Sequence, residues 1–131
     1  MAFELVSNDT TKEFSDVKAN SWYYGNVMSL YNLGIVNGLG EERFGIGNEL
    51  SREDLAVITV RVAKHCGINL PKRTEITFVD DSLISDYAKE SVSSLSSCGI
   101  MTGYNNEFSP KDSVTRAMAA KIIYELLKIS N

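Results

Sequence analysis

Apolar positions recur along this chain with the spacing of short amphipathic helices, and glycines punctuate the runs. Tyr23, Val27, Leu30 and Tyr31 fall on one face at helical spacing, with Ser21 placed to cap the start and Gly34 placed just past the end to stop the helix. Ala88, Val92 and Leu95 repeat that face ahead of Gly99. Ile35 and Ile100, directly after these glycines, are expected to pack back on the helix ends, and Gly38 and Gly103 to let the backbone turn. In "LAVITVRVA" (55–63) and "AMAAKIIYELL" (117–127) apolar residues instead run round most of the circumference, with Arg61 and Lys121 as mid-helix charges. A helix of that kind is enclosed on several sides. Ser51 and Thr115 suit its N-cap, Arg52 and Arg116 take the first helical position, and Asp54 takes the third, where a carboxylate favours the positive helix end. Met118 holds that third position in the later helix, so half of a capping box is missing there. The pattern predicts an all-α fold of tandem helix-loop-helix units. The second helices form the inner layer, burying Leu55, Ile58, Val62, Ile122, Ile123 and Leu126, and the first helices lie outside.

The pattern is written twice. "FSDV" at 14–17 faces "FVDD" at 78–81, and "WYYGNVMSLYNLGIVNG" at 22–38 faces "YAKESVSSLSSCGIMTG" at 87–103. "RFGIGNELSREDLAVI" at 43–58 then faces "EFSPKDSVTRAMAAKI" at 107–122. The register slips by one residue because the loop "GLGEERF" is one longer than "GYNNEF". Self-similarity at a fixed period is the signature of a repeat architecture. The copies are assigned to residues 14–70 and 78–131, joined by a linker at 71–77, and residues 1–13 read as a linker or appended segment.

Composition narrows the function. Of 131 residues 44% are apolar and 23% charged, which suits a packed fold rather than disorder. The net charge of −4 and pI of about 5.0 give no basic stripe for a nucleic acid. No apolar run reaches the length of a membrane span. The only histidine, His65, adjoins Cys66 on a predicted helix, where sequence neighbours do not face each other, so no Cys-His nucleophile is expected. Adjacent acids such as Glu41–Glu42 and Asp80–Asp81 sit in loops with nothing to fix a catalytic separation. "GYNNEFSPKD" lacks the alternating acids of a calcium loop, and two cysteines with one histidine cannot build a zinc site. No metal or cofactor is expected, and no catalysis. Cys66 and Cys98 could form one disulfide or remain as two thiols near helix ends.

The order F-S-D-V, then Trp, then L-x-x-x-G-I-V-x-G, then a Phe-centred loop, then S/T-R opening an apolar helix resembles the S-layer homology repeat, at about residues 14–66 and 78–129. The resemblance implies a helical bundle and a non-catalytic role. Such repeats attach exported bacterial proteins to secondary cell-wall polysaccharide, often through a pyruvate-ketal sugar. They usually come in threes, and this chain has two. It would place the protein outside the cell, at the cell wall or S-layer. The start "MAFELVSNDTTKEF" has no secretion-signal pattern, so the chain is read as excised from an exported precursor. The family's Thr-Arg-Ala-Glu signature corresponds to Ser51, Arg52, Glu53 and Asp54 and to Thr115, Arg116, Ala117 and Met118. Its aromatic partner corresponds to Trp22 and Tyr87, and its loop glycines to Gly38 and Gly103.

The chemistry is consistent with that role. A guanidinium grips a ketal carboxylate bidentately, and an arginine at the first helical position stands beside backbone N–H groups expected to be free. Trp22 or Tyr87 offers a flat face to a sugar, and a glycine lets backbone donors approach it. The structural alternative is that Trp22 is core and each arginine pairs with an acid such as Asp16 or Asp80. The functional alternative is a protein-docking or self-association module, because two repeats are expected to leave an apolar flank for another copy or another repeat to cover.

Overall fold

Three of the four α-helices among the described residues end on a glycine followed by isoleucine, and the ending is the same each time. The computed structural model describes residues 14–130 and contains α1 (Tyr24–Asn32), α2 (Arg52–His65), α3 (Asp86–Ser97) and α4 (Arg116–Ser130), with a short 3-10 turn at Asp81–Leu83. Gly34, Gly67 and Gly99 adopt φ of +75°, +69° and +85° just past α1, α2 and α3. The N–H groups of Ile35, Ile68 and Ile100 then reach back to the carbonyls of Leu30, Ala63 and Leu95 at 2.9, 2.8 and 2.9 Å. This is a Schellman ending, and a residue with a Cβ resists the left-handed conformation that it needs. It folds the isoleucine back over the helix end, and Ile35 and Ile100 are buried. The same endings place Cys66 and Cys98 at helix C-caps, where both are free thiols.

No strand occurs among the described residues; the loops carry only isolated bridges such as Tyr104–Glu107. The fold is all-α. Its first helix starts later than the periodicity predicts. Ser21 does not cap α1 with its side chain, because residues 14–23 are spent on three successive turns closed by Val17 N–H to Phe14 O, Ser21 N–H to Lys18 O and Tyr24 N–H to Ser21 O. Expectations about residues 1–13 lie outside the described residues.

The chain divides into two compact units, one ending at Asn48 and the other starting at Glu49. In the first, Phe14, Val17 and Met28 form the buried centre, and Phe14 packs edge-on against Tyr31 and Phe44 with ring centroids 5.0 and 5.5 Å apart. Asp16 pins the loop beside it, accepting N–H bonds from Phe44, Gly45 and Ile46 at 2.8, 2.7 and 2.9 Å. The second unit repeats the device: Phe78 packs on Phe108, and Asp80 accepts from the N–H groups of Phe108 and Ser109 at 2.9 and 2.8 Å. Its core joins Ala56, Ala88, Val92, Leu95, Phe108 and Ile122. α2, which belongs in sequence to the first repeat, packs along α3 of the second.

Burial departs from the predicted list. Ile122 is buried, but Leu55, Ile58, Val62 and Leu126 are half-buried and Ile123 is 59% exposed. α2 instead turns its small residues inward, with Ala56, Thr59 and Ala63 buried, because two closely packed helices leave little room between them. α4 buries only Ile122 and leaves Ile123, Tyr124 and Leu127 in solvent, so an apolar run marks a helix without saying how many of its sides are covered.

Two outcomes follow from this packing. Ile122→Ala should lower the unfolding free energy by about 2–5 kcal/mol, whereas Ile123→Ala should change it by less than about 0.5 kcal/mol, both read by denaturant titration. Asp16 is held down to about pKa 2, first by the Phe44 N–H and then by those of Ile46 and Gly45. A depressed carboxyl contributes stability that is full above its ordinary value of 3.8 and is lost as pH falls through about 2. An NMR pH titration followed at the amides of Phe44, Gly45 and Ile46 should report that acid transition, and Asp16→Asn should remove it.

Candidate functional site

The first turn of α2 is built against the loop that follows α3. A helix start leaves backbone N–H groups without intrahelical partners, and here loop carbonyls take them. The Arg52 N–H donates to Asp112 O at 2.9 Å and the Glu53 N–H to Pro110 O at 3.0 Å, while Ser51 Oγ accepts the Asp54 N–H at 3.2 Å as the N-cap. The expectation of free N–H groups beside Arg52 is therefore corrected: the helix start binds its own chain. The Arg52 side chain continues the contact, with Nε donating to Phe108 O at 2.8 Å and the guanidinium lying over the Phe108 ring, 4.9 Å from its centroid. Burial lowers its pKa, with Asp112 and Asp80 nearby opposing that shift. Among the described residues Nε makes the only hydrogen bond of the guanidinium, leaving its terminal N–H groups for another acceptor.

Arg52 opens on a cleft of about 470 Å³. Met101, Gly103, Tyr104, Glu107 and Asp112 line it from the loop, and Met118, Lys121 and Ile122 from α4. The floor is apolar and the rim polar. Tyr104 stands at the edge, 81% exposed. Gly103 is shaped by its own surroundings: at φ +72° a Cβ there would collide with the Glu107 carbonyl oxygen and meet the Phe78 ring at 2.9 Å. Gly38 has the same constraint in the first unit, where a Cβ would meet Arg43 O and the Phe14 ring, each at 2.9 Å.

Beside the cleft lies a network that the periodicity does not reveal. Glu53 is buried at 2% exposure and accepts from Ser85 N–H and Oγ, both at 2.9 Å, and from the Lys111 ammonium. Burial pushes its carboxyl up, and the bonds from Lys111 and Ser85 outweigh that and hold it below the ordinary range. The Tyr87 hydroxyl donates to Asp54 Oδ1 at 2.6 Å, so the Asp54 carboxylate points to α3 instead of completing a capping box. At the start of α4 the cap survives without an acid: Thr115 Oγ1 accepts the Met118 N–H at 3.2 Å, and the Thr115 N–H reaches Met118 Sδ at 3.4 Å.

The model of the family described as "S-layer homology domain" matches residues 13–56 and 77–120, two thirds of the chain. The chain belongs to the S-layer homology domain family. Domains of this family are cell-wall anchoring modules without catalytic activity. An amylopullulanase of Thermoanaerobacterium thermosulfurigenes is 38% identical over 122 residues, which is 90% of this chain and 6% of the relative. Exoglucanase XynX of Acetivibrio thermocellus is 38% identical over 121 residues, 91% of this chain and 11% of the relative. The S-layer protein sap of Bacillus anthracis is 26% identical over 120 residues, 90% of this chain and 14% of the relative. The chain thus spans a small part of the length of these relatives.

Among the residues carried over from the S-layer homology signature, the structure brings Arg52 and Gly103 to one cleft, with Ser51 capping the helix that carries Arg52. Tyr87 lies outside the cleft lining, tied to Asp54, and Thr115 and Arg116 stand exposed at the start of α4. Trp22 and Gly38 belong to the first unit. Trp22 is 88% exposed, which rules out the reading of it as core. Asp16 and Asp80 spend their carboxylates on loop N–H groups, so neither takes a hydrogen bond from an arginine. Tyr104 and Lys121 also line the cleft, and helical periodicity marks neither as a ligand contact. The usable signal is the charge of Lys121 at the position where the first copy has the buried Val57.

Hydrogen bonding to Asp54, then burial, raises the Tyr87 phenol from 10.0 to about 12. A group with a raised pKa contributes stability that is full below 10.0 and lost as pH rises through about 12. In a phenolate absorbance titration one tyrosine should ionise at about pH 12. Asp54→Asn should return it toward 10.0.

Proposed function

We propose that this cleft binds an anionic unit of secondary cell-wall polysaccharide, a sugar bearing a carboxylate such as a pyruvate ketal, and so anchors an exported protein at the bacterial cell wall or S-layer. The observation that carries the reading is Arg52, fixed by Phe108 at Nε and by ring stacking, with its remaining donors at an open cleft. An immobilised planar guanidinium is suited to a carboxylate and loses little freedom on binding it. The rest of the lining suits a sugar. Glu107 and Asp112 can accept hydroxyl hydrogens, Met101 and Ile122 offer apolar contact, and the Tyr104 ring can receive a C–H face. Trp22, with its ring in solvent, is an equivalent platform in the first unit.

On this reading the binding element is composite, with the arginine of the first repeat completed by the loop of the second. Arg116 stands exposed at the start of α4, and among the described residues its side chain has no bond to a loop carbonyl of the kind that Phe108 gives Arg52. A hexosamine glycoside carrying a pyruvate ketal, titrated in a calorimeter, tests this. Arg52→Ala should cost about 1.5–3 kcal/mol of binding and Arg116→Ala less, with Arg52→Lys recovering part of the loss. Equal and negligible effects would make the arginines structural.

A second reading, docking to protein, is favoured by the exposed Ile123, Tyr124 and Leu127 of α4. In α2 the corresponding Thr59 and Ala63 are buried and Val60 is half-buried. Co-sedimentation with cell-wall sacculi separates the two. Loss of binding after acid removes the polysaccharide supports the glycan, and persistence supports a protein target.

A further inference from the structure

We infer that Lys121 is a second cationic contact in the cleft and that, together with Arg52, it supplies the positive charge by which the cleft selects a carboxylate-bearing sugar. The inference rests on the glycan reading above and adds a specificity-determining residue to it. Lys121 has no ion-pair partner among the described residues, where the lysine pairs are Lys89–Asp86, Lys111–Glu53 and Lys128–Glu125. Its Nζ donates once, to Ile100 O at 3.2 Å, within the "GIMTG" turn that follows α3. An ammonium has three N–H donors, so two remain for ligand oxygens.

The internal duplication sharpens the point. Lys121 occupies the position held in the first copy by Val57, which is buried in the core. In the second copy the position is exposed and lines the cleft, so a lysine can stand there with its ammonium solvated. Anchoring by Ile100 O also limits the entropy lost when the side chain is fixed on a ligand. Glu107 and Asp112 share the cleft and repel a ligand carboxylate, which leaves the two cations, one from α2 and one from α4, as its place of binding.

The test uses two probes in the calorimeter, the ketal-bearing glycoside and the same glycoside without the ketal. Lys121→Ala should weaken binding of the ketal probe about tenfold, the size of one charge-assisted hydrogen bond, and leave the neutral probe unchanged. Lys121→Arg should restore binding and Lys121→Gln should not, and thermal melts should show that all variants fold. Recovery by Gln, or an equal loss for both probes, would make the role one of length or packing and overturn the inference. If Lys121→Ala binds like the parent while Arg52→Ala does not, this inference fails and the glycan reading stands. If the parent binds neither probe, the glycan reading fails and this inference with it.

Discussion

The start of α2 laid on the loop at 108–112 is the contact on which the second unit depends. Three hydrogen bonds, from the N–H groups of Arg52 and Glu53 and from Arg52 Nε, end on consecutive parts of that loop. They solve two problems together. The helix start finds acceptors for donors that would otherwise be buried unpaired, and the loop is held open beside a fixed guanidinium. The loop can serve because Asp80 fixes it from behind through the N–H groups of Phe108 and Ser109, and because Phe108 is fully buried.

The same logic explains a cleft in place of a filled core. Gly103 brings the turn so near the Glu107 carbonyl that no side chain fits between them, and Met101, Gly103 and Glu107 line the cleft opposite residues of α4. The position where α2 carries a core valine carries a lysine in α4. On the other side of α2, Glu53 is the charged counterpart of this contact. A buried carboxylate is costly unless its lone pairs are filled, and Ser85 and Lys111 fill them, so the helix has one seating that leaves no charge unpaired.

Duplication did not produce two identical copies. The Asp16 and Asp80 clamps and the glycine-isoleucine helix endings recur faithfully, as do the serine and threonine caps. The surroundings of the second helices do not recur. Glu53 has become Ala117, Asp54 has become Met118, and a face that is buried on α2 is exposed on α4. Devices confined to a few neighbouring residues or to one loop persist, and those that need a neighbouring helix change with the neighbour.

That distinction also separates what could be read from the chain and what could not. The sequence by itself determined the duplication, the all-α class, the helix stops at Gly34 and Gly99, and the caps at Ser51 and Thr115, because each rests on contacts within about five residues and on the backbone preference of a single residue type. The S-layer homology motifs were legible for the same reason. Only the tertiary structure decided that α2 leaves its own repeat to join the next, that Ala56 and Ala63 are fully buried while Leu55 and Ile58 are half-buried, and that Ile123 faces water. It also decided that Asp16 and Asp80 clamp loops, that Arg52 meets Phe108, and that Arg52 and Lys121 line one cleft. These pairs stand some 28 to 69 residues apart in the chain. Helical periodicity says which residues share a face of one helix and carries no information about which other segment will cover it.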